Sequence, residues 1–335
     1  MKILIAGLGS IGRRHLRNLV SLGERDITLF RTHQSTLPDD ELSGFPVVND
    51  LQSALDHRPE AVIISNPTSL HLDVAIPAAE AGCHLFLEKP ISHNLEKLDQ
   101  LNMIVRRSNI KVLVGYQYRF HPGLITVQRL LSEEVIGRPI SFYAHWGEYL
   151  PNWHPWEDYR KGYSARADLG GGVILTLSHP LDYLSWLLGR VHSLWAFAES
   201  LGDLEINVED TAEIGIKFTS GAIGSVHLDY NQRPPTHYLE IVGTEGTIRW
   251  DNSDGAVWLY SIKDSSHARD NIEWKQFPAP PNFERNDMFL AEMRHFLAMI
   301  REGVKPMCSL EEGYQVLLLA LAAIQSASKN ELIIL

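Results

Sequence analysis

Short apolar runs alternate with helical patterns up to about residue 120. Ile3-Leu4-Ile5-Ala6 is apolar on both faces, as a central parallel strand requires. Ile27-Thr28-Leu29-Phe30 reads as a second strand, Phe45-Pro46-Val47-Val48 as a short third, and Leu51 to Leu55 as a helix. Ala61 to Ser65 is another buried strand. Behind it Thr68 reads as an N-cap, followed by a helix whose apolar face is Leu72, Ala75, Ile76 and Ala79. His84 to Glu88 is a strand, Asn94 to Arg107 a helix and Val112 to Gly115 a further strand. Strand and helix alternating with short connections predict an α/β fold, a doubly wound parallel sheet covered on both faces.

From about Ile140 the pattern changes. Longer strands are predicted at Ser141 to Trp146, Ser193 to Ala198, Thr211 to Phe218, Gly224 to Tyr230, Tyr238 to Val242 and Thr247 to Trp250. Turn signals stand at Thr219-Ser220-Gly221 and Gly243 to Gly246. Helices are predicted between Phe120 and Leu131, over Gly172 to Leu188, and at Arg285 to Arg301 and Leu310 to Ala327. The expected organisation is a Rossmann-type domain over 1–120 and an α/β domain with a large antiparallel-rich sheet over 121–335, leaving open that the last helix packs back on the first domain.

The chemistry begins at the turn after the first strand, Gly7-Leu8-Gly9-Ser10-Ile11-Gly12. In a GxGxxG turn the first glycine permits the tight bend, the second lets backbone approach a pyrophosphate, and the third lets the helix pack hard on the sheet. The helix N-terminus then offers N–H groups and a partial positive charge to the phosphates. Its position between a strand and a helix is the context that makes the motif a dinucleotide site rather than an ordinary glycine-rich turn. NAD enzymes place an acidic residue about 20 positions further on. Here Phe30 is followed by Arg31-Thr32-His33, with no carboxylate before Asp39. An arginine there can meet a 2′-phosphate, which favours NADP, or stack on adenine, which serves NAD equally.

The net charge of −11 over 335 residues offers no basic face to nucleic acid. No run approaches the roughly 20 apolar residues of a membrane span, and no signal peptide is evident, so a soluble cytoplasmic protein is expected. Cys83 and Cys308 are far apart and fit no metal spacing, and no metal is expected. Glu88-Lys89-Pro90 closes a strand where ligands of parallel sheets bind, at the carboxyl end.

Taken together, Gly7 to Gly12, Asn66-Pro67-Thr68-Ser69-Leu70-His71, Ala81-Gly82-Cys83-His84 leading into Glu88-Lys89-Pro90, Tyr118-Arg119-Phe120-His121-Pro122, Gly170-Gly171-Gly172, His179-Pro180-Leu181-Asp182 and Met288 to Gly303 make the chain resemble the glucose–fructose oxidoreductase/inositol dehydrogenase (Gfo/Idh/MocA) family. The resemblance implies hydride transfer between a nicotinamide and a carbinol carbon of a sugar or sugar derivative, acidic or nucleotide-linked forms included. It implies Lys89 as the catalytic group, its pKa lowered towards neutrality, with His179 assisting. It also implies a homo-oligomer, a dimer or tetramer, built on the C-terminal sheet.

The cofactor site is then expected to comprise Gly7, Gly9, Ser10, Ile11, Gly12, Arg31, Thr32, Asn66, Pro67, Thr68, His71, Glu88 and Lys89. One departure stands out. The family commonly has an aspartate four residues before the histidine, and this chain has Leu175, with Thr176 beside it. Two other readings follow: an NAD-dependent glycoside hydrolase using transient sugar oxidation, and a cofactor-binding sensor without turnover. Three tryptophans, three tyrosines and two basic residues crowd the eighteen positions from Trp146 to Tyr163. Aromatic faces stack on sugar C–H faces and arginine grips anions. The expected substrate contacts are therefore Trp153, Trp156, Tyr159 and Arg160, together with Lys89, Arg119, Thr176 and His179. Packing of these rings on protein is the competing reading.

Overall fold

The computed structural model describes residues 1–32, 37–38, 40–262 and 273–335; His33 and Asp39 lie outside the described residues. Two compact units emerge. The first comprises 1–117, 168–171 and 285–317, and the second 118–167, 172–284 and 318–335.

In the first unit, β1 (Ile3–Ala6), β2 (Ile27–Phe30), β3 (Val47–Val48), β4 (Ala61–Ile64), β5 (His84–Glu88) and β6 (Val112–Gly115) form one sheet in the order β3-β2-β1-β4-β5-β6. Every pair is parallel. All four residues of β1, β4 and β6 are buried, as their unbroken apolar runs predict. The chain runs outward from β1 through β2 and β3, then returns to β4 on the other side of β1. Reversal of strand order opens a crevice at the carboxyl ends of β1 and β4, the usual ligand position in such sheets. One face is closed from far along the chain. Met293, Phe296, Leu297 and Met299 of the helix Arg285–Glu302 join Ile3, Ile5, Leu16, Phe86 and Leu113 in a single core.

In the second unit, β7 (Pro139–Gly147), β8 (Val191–Glu199), β9 (Thr211–Phe218), β10 (Ile223–Asp229), β11 (Thr236–Gly243), β12 (Gly246–Asp251), β13 (Val257–Ser261), β14 (Lys275–Phe277) and β15 (Ile333–Ile334) form a sheet in the order β14-β13-β12-β11-β7-β10-β9-β8-β15. Its pairs are antiparallel except β7 with β10. Burial alternates along β9 and β11, so one face is core and the other outer. Ala144 and Trp146 of β7, Ile214 of β9 and Leu239 of β11 point inward, where the helices Pro122–Ser132 and His179–Leu188 pack.

Three local expectations are corrected. Thr68 does not cap a helix: it opens a 3₁₀ turn, Thr68–Leu70, and the helix His71–Glu80 follows. The helix expected from Asn94 begins at Leu98, because the Asn94 side chain accepts from the Glu96 N–H at 2.9 Å and Lys97 takes φ +62°. The segment Gly172 to Leu188 is two helices, Val173–Thr176 and His179–Leu188. Pro180 has no N–H for the Thr176 carbonyl, so the helix restarts with proline in its first turn, where none is needed.

Candidate active site

The three glycines after β1 do different work. Gly7 holds φ +93°, and a Cβ there would fall 2.3 Å from the Asn66 nitrogen. A Cβ on Gly12 would fall 2.0 Å from the Gly7 carbonyl oxygen. Both are therefore required by the protein's own packing. A Cβ on Gly9 would meet nothing within 4 Å. Glycine is not needed at that position for folding, and the open space beside it is where a pyrophosphate would lie. Gly9 also stands at the N-cap of the helix Ser10–Ser21, and no side chain caps that helix. Its terminal N–H groups and dipole are thus left for a ligand. Ser10 and Ile11 form its first turn. Arg13 is buried, donating through Nε to the Leu8 carbonyl at 3.0 Å and through Nη2 to the Leu37 carbonyl at 3.1 Å.

The next elements stand at the carboxyl ends of neighbouring strands. After β4, the Ser65 hydroxyl donates to the Gly7 carbonyl at 2.9 Å, tying the two turns together. Asn66 donates from Nδ2 to the Leu70 carbonyl at 2.9 Å. Its Oδ1 is buried and accepts no hydrogen bond among the described residues. Pro67 and Thr68 complete this turn; Thr68 is buried, and a Cβ on Gly170 would come 3.1 Å from it. His71 is not open to a ligand as expected. It is 2% exposed, with Nε2 2.9 Å from the Asn66 carbonyl and Nδ1 3.0 Å from the Pro90 carbonyl. Burial pushes its pKa down to about 4, and the ring, which as a neutral imidazole donates to only one of the two carbonyls, sits between the turn after β4 and the turn after β5.

After β5, Glu88 and Lys89 part company. Glu88 turns inward, where the buried His15 Nε2 lies 2.7 Å from Oε1. His15 in turn sits edge-on to Phe86 at 4.8 Å. The role expected for Glu88 at the cofactor is thereby replaced by one beneath it: the carboxylate anchors the strand end and accepts from the Lys89 N–H at 3.2 Å. The Lys89–Pro90 peptide is cis. At the end of β2, Arg31 is 7% exposed and donates its N–H to the Val48 carbonyl at 3.1 Å, whereas Thr32 is exposed. The open side of Gly9, the uncapped helix and the unsatisfied Asn66 Oδ1 together fit a dinucleotide.

In the second unit His179 opens the helix His179–Leu188 and is 1% exposed. Its ring lies 4.9 Å from Tyr118 and 5.2 Å from Trp146, which restricts its rotation. One turn on, Asp182 is fully buried and accepts from Arg119 Nε at 3.1 Å and Nη2 at 2.8 Å. Arg119 is therefore a clamp on this helix rather than a substrate contact: its guanidinium is 2% exposed and committed to the carboxylate. Thr176 is also buried.

Arg160 is corrected likewise. It lies at the surface, held by Asp158 at 2.9 Å and Glu205 at 2.8 Å, and two carboxylates already neutralise its charge. Tyr159 donates to the Leu204 carbonyl at 2.8 Å, and Trp156 is 57% exposed. Trp153 packs edge-on to Tyr230 at 5.6 Å, with its Nε1 buried and without a hydrogen bond among the described residues.

Two residues that sequence reasoning missed shape this unit. Glu209 lies where a Cβ on Gly172, at φ +108°, would fall 2.4 Å from its Oε1, and it accepts from the Ile174 N–H at 3.2 Å. Burial raises its pKa. His237 stacks on Trp146 at 4.4 Å and approaches the Tyr183 hydroxyl at 3.4 Å. The glycine run hinted at the first; nothing local signalled the second.

Residues 1–116 match the model of an oxidoreductase family with an NAD-binding Rossmann fold, and 124–249 match the GFO/IDH/MocA C-terminal domain. The chain is 28% identical over 329 residues to levoglucosan dehydrogenase of Pseudarthrobacter phenanthrenivorans, covering 84% of this chain and 82% of that one. It is 26% identical over 347 residues to myo-inositol 2-dehydrogenase of Thermotoga maritima, covering 98% and 97%. In fold it resembles the structure of a levoglucosan dehydrogenase in complex with NADH and levoglucosan, with a TM-score of 0.88, 22% identity and coverage of 100% and 99%.

Proposed function

Because the chain belongs to the Gfo/Idh/MocA oxidoreductase family, with an NAD-binding Rossmann domain, we propose that it oxidises a secondary alcohol of a cyclic polyol or anhydro sugar, or reduces the matching ketone, with Lys89 as the group that handles the proton. The observation that carries the reading is Gly9, whose missing side chain serves no packing purpose and makes room for the pyrophosphate. A bound nicotinamide dinucleotide supplies the hydride acceptor or donor. The protein's part is to orient and to move a proton. Glu88, buried on His15, and His71, set between the Asn66 and Pro90 carbonyls, hold the two turns that flank Lys89 and Asn66. The lysine Nζ takes the hydroxyl proton during oxidation and returns it in the reverse direction. His179, its ring restrained by Tyr118 and Trp146, is the assisting group in this reading. With Leu175 four residues before His179, no second acid stands at that position. Trp153 remains the aromatic candidate for a sugar face. A homo-oligomer on the outer face of the nine-stranded sheet belongs to the same reading, supported by exposed Ile140, Tyr143, Phe197 and Ile223. Among the described residues no helix is long and apolar enough to cross a membrane.

The test is turnover of purified protein with NAD and NADP against a panel of cyclitols, anhydro sugars and sugar acids. Net reduction of the cofactor supports a dehydrogenase. Retained cofactor with no net reduction, but with cleavage or hydration of the sugar, would favour transient oxidation instead. Gly9→Val should raise the Kd for reduced cofactor more than about a hundredfold, because the branched side chain fills the pyrophosphate position. Calorimetric affinity within a few fold of wild type would contradict the loop assignment.

For the adenosine half, Arg31 supports NADP, since no described residue between Phe30 and Pro38 is a carboxylate that would grip a free 2′-hydroxyl. Arg31→Ala should cost about 1.5–3 kcal/mol in NADP binding, the range for a hydrogen bond to a charged group, and much less for NAD. Equal small losses in a calorimetric comparison would assign Arg31 to adenine stacking.

A further inference from the structure

The outer face of the nine-stranded sheet carries a cluster that the hydride chemistry does not use. β10 lies between β9 and β7, and the register sets His227 opposite Glu213 on one side and His145 on the other. Asp229 follows His227 by two residues and so points to the same face. One donor atom from each of His145, His227 and Asp229 lies within 4.8 Å of the other two. Asp229 Oδ2 is 3.2 Å from His227 Nε2 and 3.8 Å from His145 Nε2. Donors about 2.0–2.1 Å from a tetrahedral ion stand about 3.3–3.4 Å apart, so the cluster is near the required size.

Its parts are held from behind. Asp229 Oδ1 accepts from the backbone N–H groups of Asn231 at 2.7 Å and Gln232 at 2.5 Å, which turns Oδ2 towards the imidazoles. Gly147 is paired with Asp229 across the strands, and a Cβ there would fall 2.2 Å from Oδ2. His227 Nδ1 is 2.9 Å from Glu213 Oε2, and His145 Nδ1 is 3.2 Å from the Tyr143 hydroxyl. Each ring is thus engaged at Nδ1 and presents Nε2 forward, the arrangement in which a second group orients a metal-binding histidine. His145 Nε2 is buried and makes no hydrogen bond among the described residues, and Asp229 Oδ2 faces His227 Nε2.

We propose that His145, His227 and Asp229 form a binding site for a divalent first-row transition ion of the zinc type. Two imidazoles and one carboxylate suit such ions and disfavour magnesium and calcium, which prefer oxygen. Three protein ligands leave at least one coordination position for water or an incoming group. A cleft of about 400 Å³, bounded by Thr211, Asn231, Gln232 and Arg233, borders His227 and Asp229. An imidazole ligates only in its neutral form, so binding is best measured on the alkaline side of neutrality.

The experiment is calorimetric titration of the whole, chelator-treated protein with Zn²⁺ near pH 8, repeated with Co²⁺ followed by absorbance. The expected result is about one ion per chain, with a Kd near or below micromolar and a Co²⁺ d–d spectrum of mixed nitrogen and oxygen ligation. Asp229→Asn keeps the Oδ1 hydrogen bonds but replaces the ligating Oδ2 by an amide nitrogen, and His145→Ala removes a nitrogen ligand. Each should weaken binding about a hundredfold or more and abolish the Co²⁺ band. Glu213→Gln, which leaves all three ligands in place, should weaken it about ten- to a hundredfold. If wild-type protein takes up no Zn²⁺, or if Asp229→Asn and Glu213→Gln bind as tightly as wild type, the proposal fails. The wild-type Co²⁺ spectrum decides the matter even where a variant does not fold.

Discussion

Lys89→Ala is expected to lose about a thousandfold or more in kcat while binding reduced cofactor within a few fold of wild type. A positioned acid–base group contributes roughly 10²–10⁴-fold, and no other described group is proposed to take the substrate proton. Cofactor affinity should survive because it rests on Gly9, on the uncapped helix Ser10–Ser21 and on the turn at Asn66. None of these depends on the lysine side chain. The support for the strand end lies beneath Lys89, in Glu88 and His15 at 2.7 Å, so removing the lysine leaves the backbone in place. Single-turnover absorbance separates the chemical step from binding, and calorimetry reads the affinity. A variant that still turns over within tenfold of wild type would remove Lys89 from the proton-transfer role. Loss of both activity and cofactor binding would mean that the side chain serves the binding site instead.

Asp182→Ala should have the largest effect on stability. Its carboxylate is fully buried, and the Arg119 guanidinium that it holds in a two-pronged contact is 2% exposed. Removing one member of a buried pair leaves the other charge desolvated and unmatched, at a cost of about 3–5 kcal/mol. The effect should extend to chemistry, because Asp182 clamps the helix that begins at His179 to the turn Gln117–Phe120, which carries Tyr118. Tyr118 is one of the two rings that restrain His179. Urea unfolding gives the stability change, and kcat of the folded fraction gives the second. Replacing both partners by apolar residues of similar volume should recover much of the stability without restoring kcat. A loss below about 1 kcal/mol in Asp182→Ala would show that the pair is weaker than its burial implies.

The parallel sheet and its glycine turn were legible because their signals are local. A strand buried on both faces must be continuously apolar, as β1 and β4 are, and a tight turn must carry glycine where φ is positive or a carbonyl approaches closely, as at Gly7 and Gly12. The place of Lys89 at the end of β5 was legible for the same reason, since it follows a recognisable strand. The substrate contacts fared differently. Arg119 and Arg160 looked like ligand-binding cations in sequence, yet both are matched by carboxylates, at Asp182 in one case and at Asp158 and Glu205 in the other. An arginine's type reveals its charge but not its partner. Helix breaks were hidden too: Pro180 was visible, but its effect on Leu177 and Ser178 depends on which carbonyl lacks a donor.

The sequence by itself determined the order of elements, the α/β class and the dinucleotide loop, because backbone sterics and hydrophobic periodicity act over a few consecutive residues. It also placed a helix at Arg285 to Arg301, but did not show that this helix would seal the sheet begun at Ile3. Tertiary structure alone decided that partnership, the meeting of His15 with Glu88, and the cluster of His145, His227 and Asp229. The physical reason is the same in each case. Strand order and register are set by the collective burial of the whole sheet, and only then do residues distant in sequence become neighbours. The parallel pairing of β7 with β10 that aligns His145 with His227 has no signature in either strand taken alone.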